Sequence, residues 1–204
     1  MRPRRALATF VAAAAVAALV SMVRSAGQSP VRVLVETELG EIVLEIDAAR
    51  APNTAANFLR YVDAGHYNGG TFHRTVKMDN QPDSPVKIEV IQAGVSAEHA
   101  GGGFPPIPLE RTSVTGLRHT DGAISMARGQ PDSATSGWFI CINDQPSLDF
   151  GGARNPDGQG FAAYGRVVAG MDVVHRIQQA PNTDAQRLTP PIKIRKVARI
   201  QGGV

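Results

Sequence analysis

Short runs of β-branched residues, separated by turns rich in glycine and proline, recur along most of this 204-residue chain. Such runs favour strands, because branched side chains pack well on a pleated surface and Gly and Pro interrupt it. Only two windows have the spacing of a helix. A chain with many short strands and few helices favours a closed barrel capped by helices over an alternating, doubly wound fold.

The predicted elements follow one another along the chain. A helix is predicted over 52–65, because Pro52 suits a first turn and Gly65 a C-terminal end. A second helix is predicted over 171–179, where it stops before Pro181. The strands are predicted over 31–35, 41–46, 71–76, 86–92, 122–126, 137–142, 162–167 and 191–200.

The first 27 residues have a pattern of their own. Three arginines in residues 1–5 precede an apolar run from Ala6 to about Val23, and small residues follow. This order is typical of an export signal, with cleavage near Gly27. An apolar run of about 18 residues also just spans a bilayer, so a retained anchor is the alternative. We expect a signal over 1–27, a domain over 28–204, and a periplasmic or secreted protein, or one anchored in the inner membrane and facing the periplasm.

The net charge of +3 comes from this N-terminal segment. Four arginines and no acidic residue fall in residues 1–27, so the other 177 residues have 17 basic and 18 acidic side chains. A near-neutral domain does not have the charge of a nucleic-acid-binding protein. An aromatic content of 5% also disfavours a base-stacking surface. We expect no nucleic-acid partner.

Signatures of metal, covalent or nucleotide chemistry are missing from the sequence. The single cysteine, Cys141, excludes an intramolecular disulfide, and its apolar surroundings indicate an inert thiol in a buried strand. The five histidines have no metal-binding spacing. Asp121 lies near His119 in a turn, where turn contacts are the usual role. We expect neither a metal nor a cofactor.

Six short segments follow one another in a fixed order. They are Phe72-His-Arg74, Val90-Ile-Gln-Ala-Gly94, Ser125-Met-Ala127, Ser136-Gly-Trp-Phe-Ile-Cys141, Leu148-Asp149 and Gly160-Phe-Ala-Ala-Tyr-Gly-Arg-Val167. In this order they resemble the cyclophilin family of peptidyl-prolyl cis–trans isomerases. The resemblance runs from about Val31 to Gln201. The chain is similar to the exported bacterial branch of the family, with a longer loop between Arg74 and Gln92.

The resemblance implies an eight-stranded antiparallel barrel with two capping α-helices and a substrate groove on its outer face. It implies an isomerase that turns Xaa–Pro bonds, assists the folding of exported proteins and acts as a monomer on proline-containing polypeptides. The residues it assigns to catalysis are Arg74, Gln92 and Phe139. The residues it assigns to substrate binding are Phe72, Val90, Ala127, Arg128, Gly129, Leu148 and Phe161.

These residue types also suit the chemistry on their own terms. Rotation about an Xaa–Pro bond has a barrier of roughly 20 kcal/mol, which comes from amide resonance. Twisting the bond exposes a lone pair on the prolyl nitrogen. A fixed guanidinium that donates to this nitrogen stabilises the twisted state more than the planar one. An apolar pocket holds the ring meanwhile, and no proton transfer is needed.

The sequence departs from the family pattern at several positions. Arg128 stands where asparagine is frequent and adds a positive charge to the groove. Gly137 replaces a substrate-contacting glutamine, Ser147 an aromatic residue and Glu89 a pocket phenylalanine. These changes leave a second hypothesis open, a module that binds proline-containing segments without useful catalysis. A scaffold domain anchored by its N-terminal helix is a third.

Overall fold

The computed structural model describes residues 30–183 and 186–200. The predicted signal, residues 1–27, lies outside the described residues. The helices are α1 (Pro52–Asp63), the single turn α2 (Thr112–Thr115) and α3 (Met171–Gln179). The strands are β1 (Val31–Thr37), β2 (Gly40–Ile46), β3 (Thr71–Val76), β4 (Val90–Gly94), β5 (Ala123–Met126), β6 (Trp138–Cys141), β7 (Ala162–Ala169) and β8 (Arg187–Ile200). Within this part of the chain, no helix combines the length and hydrophobicity needed to cross a membrane.

The eight strands close into one antiparallel barrel. Their order around it is β1, β2, β7, β5, β6, β4, β3 and β8, and β8 returns to β1. The prediction of a closed eight-stranded barrel capped by two helices, α1 and α3, is confirmed. β8 starts at Arg187 and not at the predicted residue 191, because Arg187 already pairs with Arg74 of β3. One strand of 14 residues thereby pairs with both β1 and β3 and closes the barrel.

Helix α1 begins at Pro52, as predicted, and covers the barrel. Its first N–H groups are capped from another part of the chain, because the Glu110 carboxylate accepts hydrogen bonds from the backbone of Asn53 at 3.0 Å and Thr54 at 2.8 Å. A negative charge at this end of a helix is stabilising. The helix ends before Gly65, whose positive φ of 72° turns the chain away.

An aromatic cluster fills the barrel interior beneath α1. The Phe58 ring of α1 lies 5.2 Å from the Tyr164 ring, 5.4 Å from Tyr67 and 5.6 Å from Trp138, and all four side chains are buried. Aromatic side chains bury more apolar area than any others, so these contacts are a large part of the core.

Side chains of β6 alternate between two hydrophobic clusters. Trp138 and Ile140 point into the barrel interior, whereas Phe139 and Cys141 point to its outer face. The outer cluster comprises Val76, Ile88, Val90, Ala123, Phe139, Cys141 and Leu148, with Ala127 and Phe161 packed against it. Cys141 is buried there, as predicted, and burial raises the pKa of its thiol.

Strand β4 begins at Val90 and not at the predicted residue 86. The backbone of Val86 and Ile88 is hydrogen-bonded to side chains and not to a neighbouring strand. The carbonyl of Val86 accepts a hydrogen bond from Arg154 at 2.6 Å, and the N–H and C=O of Ile88 bond to the Gln81 amide at 3.3 and 2.8 Å. The segment 77–88 is therefore an ordered loop beside the outer cluster.

Candidate active site

The three residues predicted to be catalytic lie in one row across neighbouring strands. Arg74 of β3 is the cross-strand partner of Gln92 in β4, and Gln92 is the partner of Phe139 in β6. Ser125 of β5 continues the row beside Phe139. Directly opposed residues have Cβ atoms about 5 Å apart, so the barrel brings together groups that are distant in sequence.

Two glutamine carbonyls hold the Arg74 guanidinium. Its Nη1 donates to Oε1 of Gln92 at 3.0 Å, while Nε and Nη2 donate to Oε1 of Gln186 at 3.1 and 2.6 Å. Gln186 is itself fixed, because its Nε2 donates to the Asn80 carbonyl at 3.0 Å. A guanidinium has five N–H donors, so two of those on Arg74 have no partner among the described residues. The sequence did not identify Gln186, which lies far from every motif.

The charge of Arg74 is not cancelled by a carboxylate in the part of the chain that the structure describes. Both anchoring groups are neutral amides. Burial lowers the pKa of the Arg74 guanidinium from its ordinary value, and the nearby charge of Arg154 adds to this effect. A partly desolvated cation with free donors interacts strongly with a lone pair placed beside it.

The outer cluster supplies an apolar surface next to Arg74. Val90, Phe139 and Leu148 are buried within it, as the predicted pocket requires. The partly buried Phe161 stands edge-on to Phe139, with ring centroids 5.5 Å apart and an interplanar angle of 90°. Together these four side chains form the apolar surface at which the sequence predicts the proline pocket.

Phe72 does not belong to this pocket, and its prediction as a substrate-binding residue is wrong. Residues two apart in a regular strand share a face, which would place Phe72 beside Arg74. A register shift between them breaks the alternation. Phe72 therefore points into the interior, where it is fully buried and its ring lies 5.5 Å from that of Trp138.

The segment 127–129 follows β5 along the edge of the outer cluster. The N–H groups of Ala127 and Gly129 donate within the chain, to the Gly137 carbonyl at 2.9 Å and to Ser133 Oγ at 3.1 Å. These two N–H groups are therefore not available to a substrate. Substrate contacts by the remaining backbone N–H and C=O groups of this segment stay a prediction. The expected extra positive charge in the groove is wrong, because the Arg128 side chain is only 1% exposed and pairs with Asp157.

Glu89 does not lie in the outer cluster, although the family resemblance aligns its position with a pocket phenylalanine. Its carboxylate turns away from the outer cluster and accepts hydrogen bonds from Asn143 at 2.9 Å and Gln178 at 3.2 Å. Ile88, one residue earlier, lies in the cluster instead. The longer loop therefore still supplies an apolar side chain to the pocket.

A buried polar chain lies behind Phe139. His119 bonds through Nδ1 to the Asp149 carboxylate at 2.8 Å and through Nε2 to Ser125 Oγ at 2.9 Å, and its ring stacks on Phe139 at 6.1 Å. Burial tends to raise the pKa of Asp149, but the hydrogen bonds from His119 outweigh it and the pKa lies below its usual value. Ser125 is fully buried and unsuited to nucleophilic attack, so these residues support Phe139. The turn role predicted for Asp121 is confirmed, because its carboxylate accepts the backbone N–H of Asn143 at 2.7 Å. The sequence did not identify Asp149 as the partner of His119.

Other parts of the described chain do not combine such groups. Within residues 30–183 and 186–200 there is no cluster of three or more His, Cys, Asp or Glu side chains placed to hold a metal ion. A cleft of about 1790 Å³ lies between α1 and the ends of β2 and β7. Three of its arginines, Arg50, Arg166 and Arg199, are already paired with carboxylates of the chain.

The fold and the site define a class of protein, a closed β-barrel whose outer face places beside an apolar cluster an arginine that has no carboxylate partner among the described residues. The family model described as "Cyclophilin type peptidyl-prolyl cis-trans isomerase/CLD" matches residues 32–199. The chain belongs to this family and is a peptidyl-prolyl cis–trans isomerase.

Individual relatives agree with this assignment. Peptidyl-prolyl cis-trans isomerase cyp18 of Streptomyces antibioticus is 37% identical over 151 residues, covering 70% of this chain and 80% of that protein. A probable peptidyl-prolyl cis-trans isomerase of Brucella abortus (strain 2308) is 33% identical over 193 residues, covering 92% of each. A solved cyclophilin-type isomerase from Cryptosporidium parvum shares the fold, with a TM-score of 0.69 at 19% identity over 85% of this chain and 99% of that one.

Proposed function

We propose that Arg74 lowers the rotation barrier by donating a hydrogen bond to the prolyl nitrogen of the substrate. The observation that carries this proposal is the guanidinium held by Gln92 and Gln186, with two of its N–H groups unpartnered within residues 30–183 and 186–200. As the bond twists, the nitrogen becomes pyramidal and gains a lone pair. A donor fixed in advance interacts with this state more strongly than with the planar amide, so the barrier falls.

The outer cluster grips the pyrrolidine ring while the rest of the peptide turns. Phe139 and Phe161 meet at a right angle, and Val90 and Leu148 close the floor between them. A five-membered apolar ring fits such a corner better than a polar side chain does, because the lining offers it dispersion contacts without an acceptor. Holding one end of the bond is what makes rotation of the other end productive.

The experiment that tests this role is an isomerisation assay on a short Xaa–Pro peptide with wild type, Arg74→Ala and Arg187→Ala. Loss of one preorganised donor typically costs about 100-fold or more in rate, so we expect kcat/KM of the Arg74 variant to fall by this order. Arg187, an exposed cross-strand neighbour, is the matched control and should keep wild-type activity. Equal activity of all three proteins would contradict the role of Arg74.

We further propose that the enzyme acts outside the cytoplasm on proline-containing segments of exported proteins, and that it does so as a monomer. The basic start and apolar run of residues 1–27 support export. Closure of the barrel within one chain supports a monomer.

Fractionation of cells and N-terminal sequencing test the export proposal. A soluble periplasmic chain beginning near Gln28 is expected. A full-length chain in the inner membrane would favour the retained anchor, and a full-length cytoplasmic chain would contradict export. Size-exclusion chromatography with light scattering should give the mass of one chain.

A further inference from the structure

Arg128 is an unusually buried charge for a residue in a surface segment. Its side chain is 1% exposed, and burial of a guanidinium is costly unless the charge is paired. The Asp157 carboxylate meets it in a two-pronged pair, at 2.8 Å from Nη1 and 2.9 Å from Nη2. Nε donates to the Gly160 carbonyl at 2.7 Å. Arg128 therefore ties the segment after β5 to the segment before β7.

These contacts converge on Phe161. The guanidinium carbon of Arg128 lies 5.2 Å from the centre of the Phe161 ring, within the range of a cation–π contact. Gly160, which accepts from Arg128, directly precedes Phe161, and the Phe161 N–H donates to the Leu148 carbonyl at 2.9 Å. The ring and the backbone before it are thus both held, with the ring edge against Phe139.

The partner carboxylate is itself held in place by its own loop. Oδ1 of Asp157 also accepts the backbone N–H of Gln159 at 2.8 Å, and the loop closes where the Gly151 N–H donates to the Gly158 carbonyl at 2.8 Å. The hydrogen bond from Arg128 is the first cause that lowers the pKa of Asp157. The Asp157 carboxylate is therefore ionised at neutral pH.

We propose that Arg128 is a positioning residue that fixes Phe161 as a wall of the proline pocket, an inference that rests on the proposed function of that pocket. In this proposal the Arg128 side chain acts through Phe161 and not by touching the substrate. Its side-chain donors are directed at Asp157, Gly160 and the Gly129 carbonyl, away from the apolar floor. Loss of the arginine releases the ring and weakens the grip on proline, while the Arg74 donor stays in place.

A double-mutant cycle tests the proposal, because it separates positioning from general stability. Arg128→Met should raise KM about tenfold and change kcat by less than about twofold, the pattern of lost binding. In a Phe161→Leu background the same change should raise KM by less than about twofold, because the side chain through which Arg128 acts is gone. Equal losses in both backgrounds, or a loss confined to kcat, would overturn the proposal.

A second variant and a spectroscopic probe keep the test decisive if Arg128→Met does not fold. Asp157→Asn keeps the shape of the partner and removes its charge, and it should raise KM in the same direction. Asp172→Asn, which breaks the exposed pair with Arg176 at 2.7 Å, is the matched control and should have no effect. A ¹⁹F label on Phe161 should move or broaden in Asp157→Asn and stay unchanged in Asp172→Asn. An unmoved ¹⁹F signal together with an unchanged KM would refute the positioning role.

The ¹⁹F readout also separates this inference from the function it rests on. If wild type does not speed isomerisation, the proposed function fails. A shifted signal in Asp157→Asn with weaker proline-peptide binding would still support the positioning of Phe161.

Discussion

Gln186 is the residue whose replacement gives the sharpest test of how Arg74 is oriented. Gln186→Ala removes one oxygen that accepts two donors of the guanidinium, at 3.1 and 2.6 Å. Hydrogen bonds to charged groups contribute about 1.5–3 kcal/mol each, and water replaces part of this at a site that is not fully buried. We expect a net loss of about 1.5 kcal/mol in transition-state stabilisation, which is roughly tenfold in kcat/KM.

Gln92→Ala provides the comparison within the same site. It removes a single bond, of 3.0 Å, so the loss should be about threefold. The exposed Gln179 on α3 is the control, and its alanine variant should equal wild type. The assay follows a proline tetrapeptide whose trans form is cleaved by an added protease. Wild-type activity of Gln186→Ala, or a larger loss in Gln92→Ala, would refute this account of the orientation.

Two further predictions concern the stability of the fold and of the long loop. Burial lowers the pKa of His66 below its ordinary 6.5, and the stacked His99 adds to this effect. The unfolded chain therefore binds more protons than the folded one, and stability should fall as the pH drops below about 6.5. Melting curves at pH 7.5 and 5.5 should show a smaller loss of stability at the lower pH for His66→Asn than for wild type or for the exposed control His175→Asn. An equal loss in all three proteins would contradict this contribution of His66. Arg154→Gln should expose the loop 77–88 to trypsin, because Nη1 of Arg154 holds three acceptors in that loop within 3.0 Å. The exposed Arg195→Gln is its control, and equal cleavage of both variants would contradict this role of Arg154.

The sequence predicted the barrel because its strands have a strong period and their turns are marked by glycine and proline. It also predicted that Arg74, Gln92 and Phe139 belong together, since the family motifs that contain them keep a fixed order. What it could not show was the direction of each side chain. The register shift in β3 turns Phe72 inward, and no residue type there signals it.

Contacts between distant loops were also outside the reach of sequence reasoning. Gln186 and Asp157 reach Arg74 and Arg128 only after the chain has folded, and neither lies in a recognisable motif. Arg128 therefore looked like a free charge in the groove, although its partner lies in the described loop before β7. The buried His119–Asp149 pair was missed for the same reason, because its two members lie 30 residues apart.

In the proposed mechanism Arg74 performs the catalysis and the outer cluster performs the binding. The most direct measurement is NMR on one proline peptide with Arg74→Ala, recording its binding shifts and the exchange between its cis and trans signals in the same sample. We expect binding close to that of wild type and exchange slower by about 100-fold or more. Exchange at the wild-type rate would contradict it, and so would wild-type protein that binds the peptide without exchange.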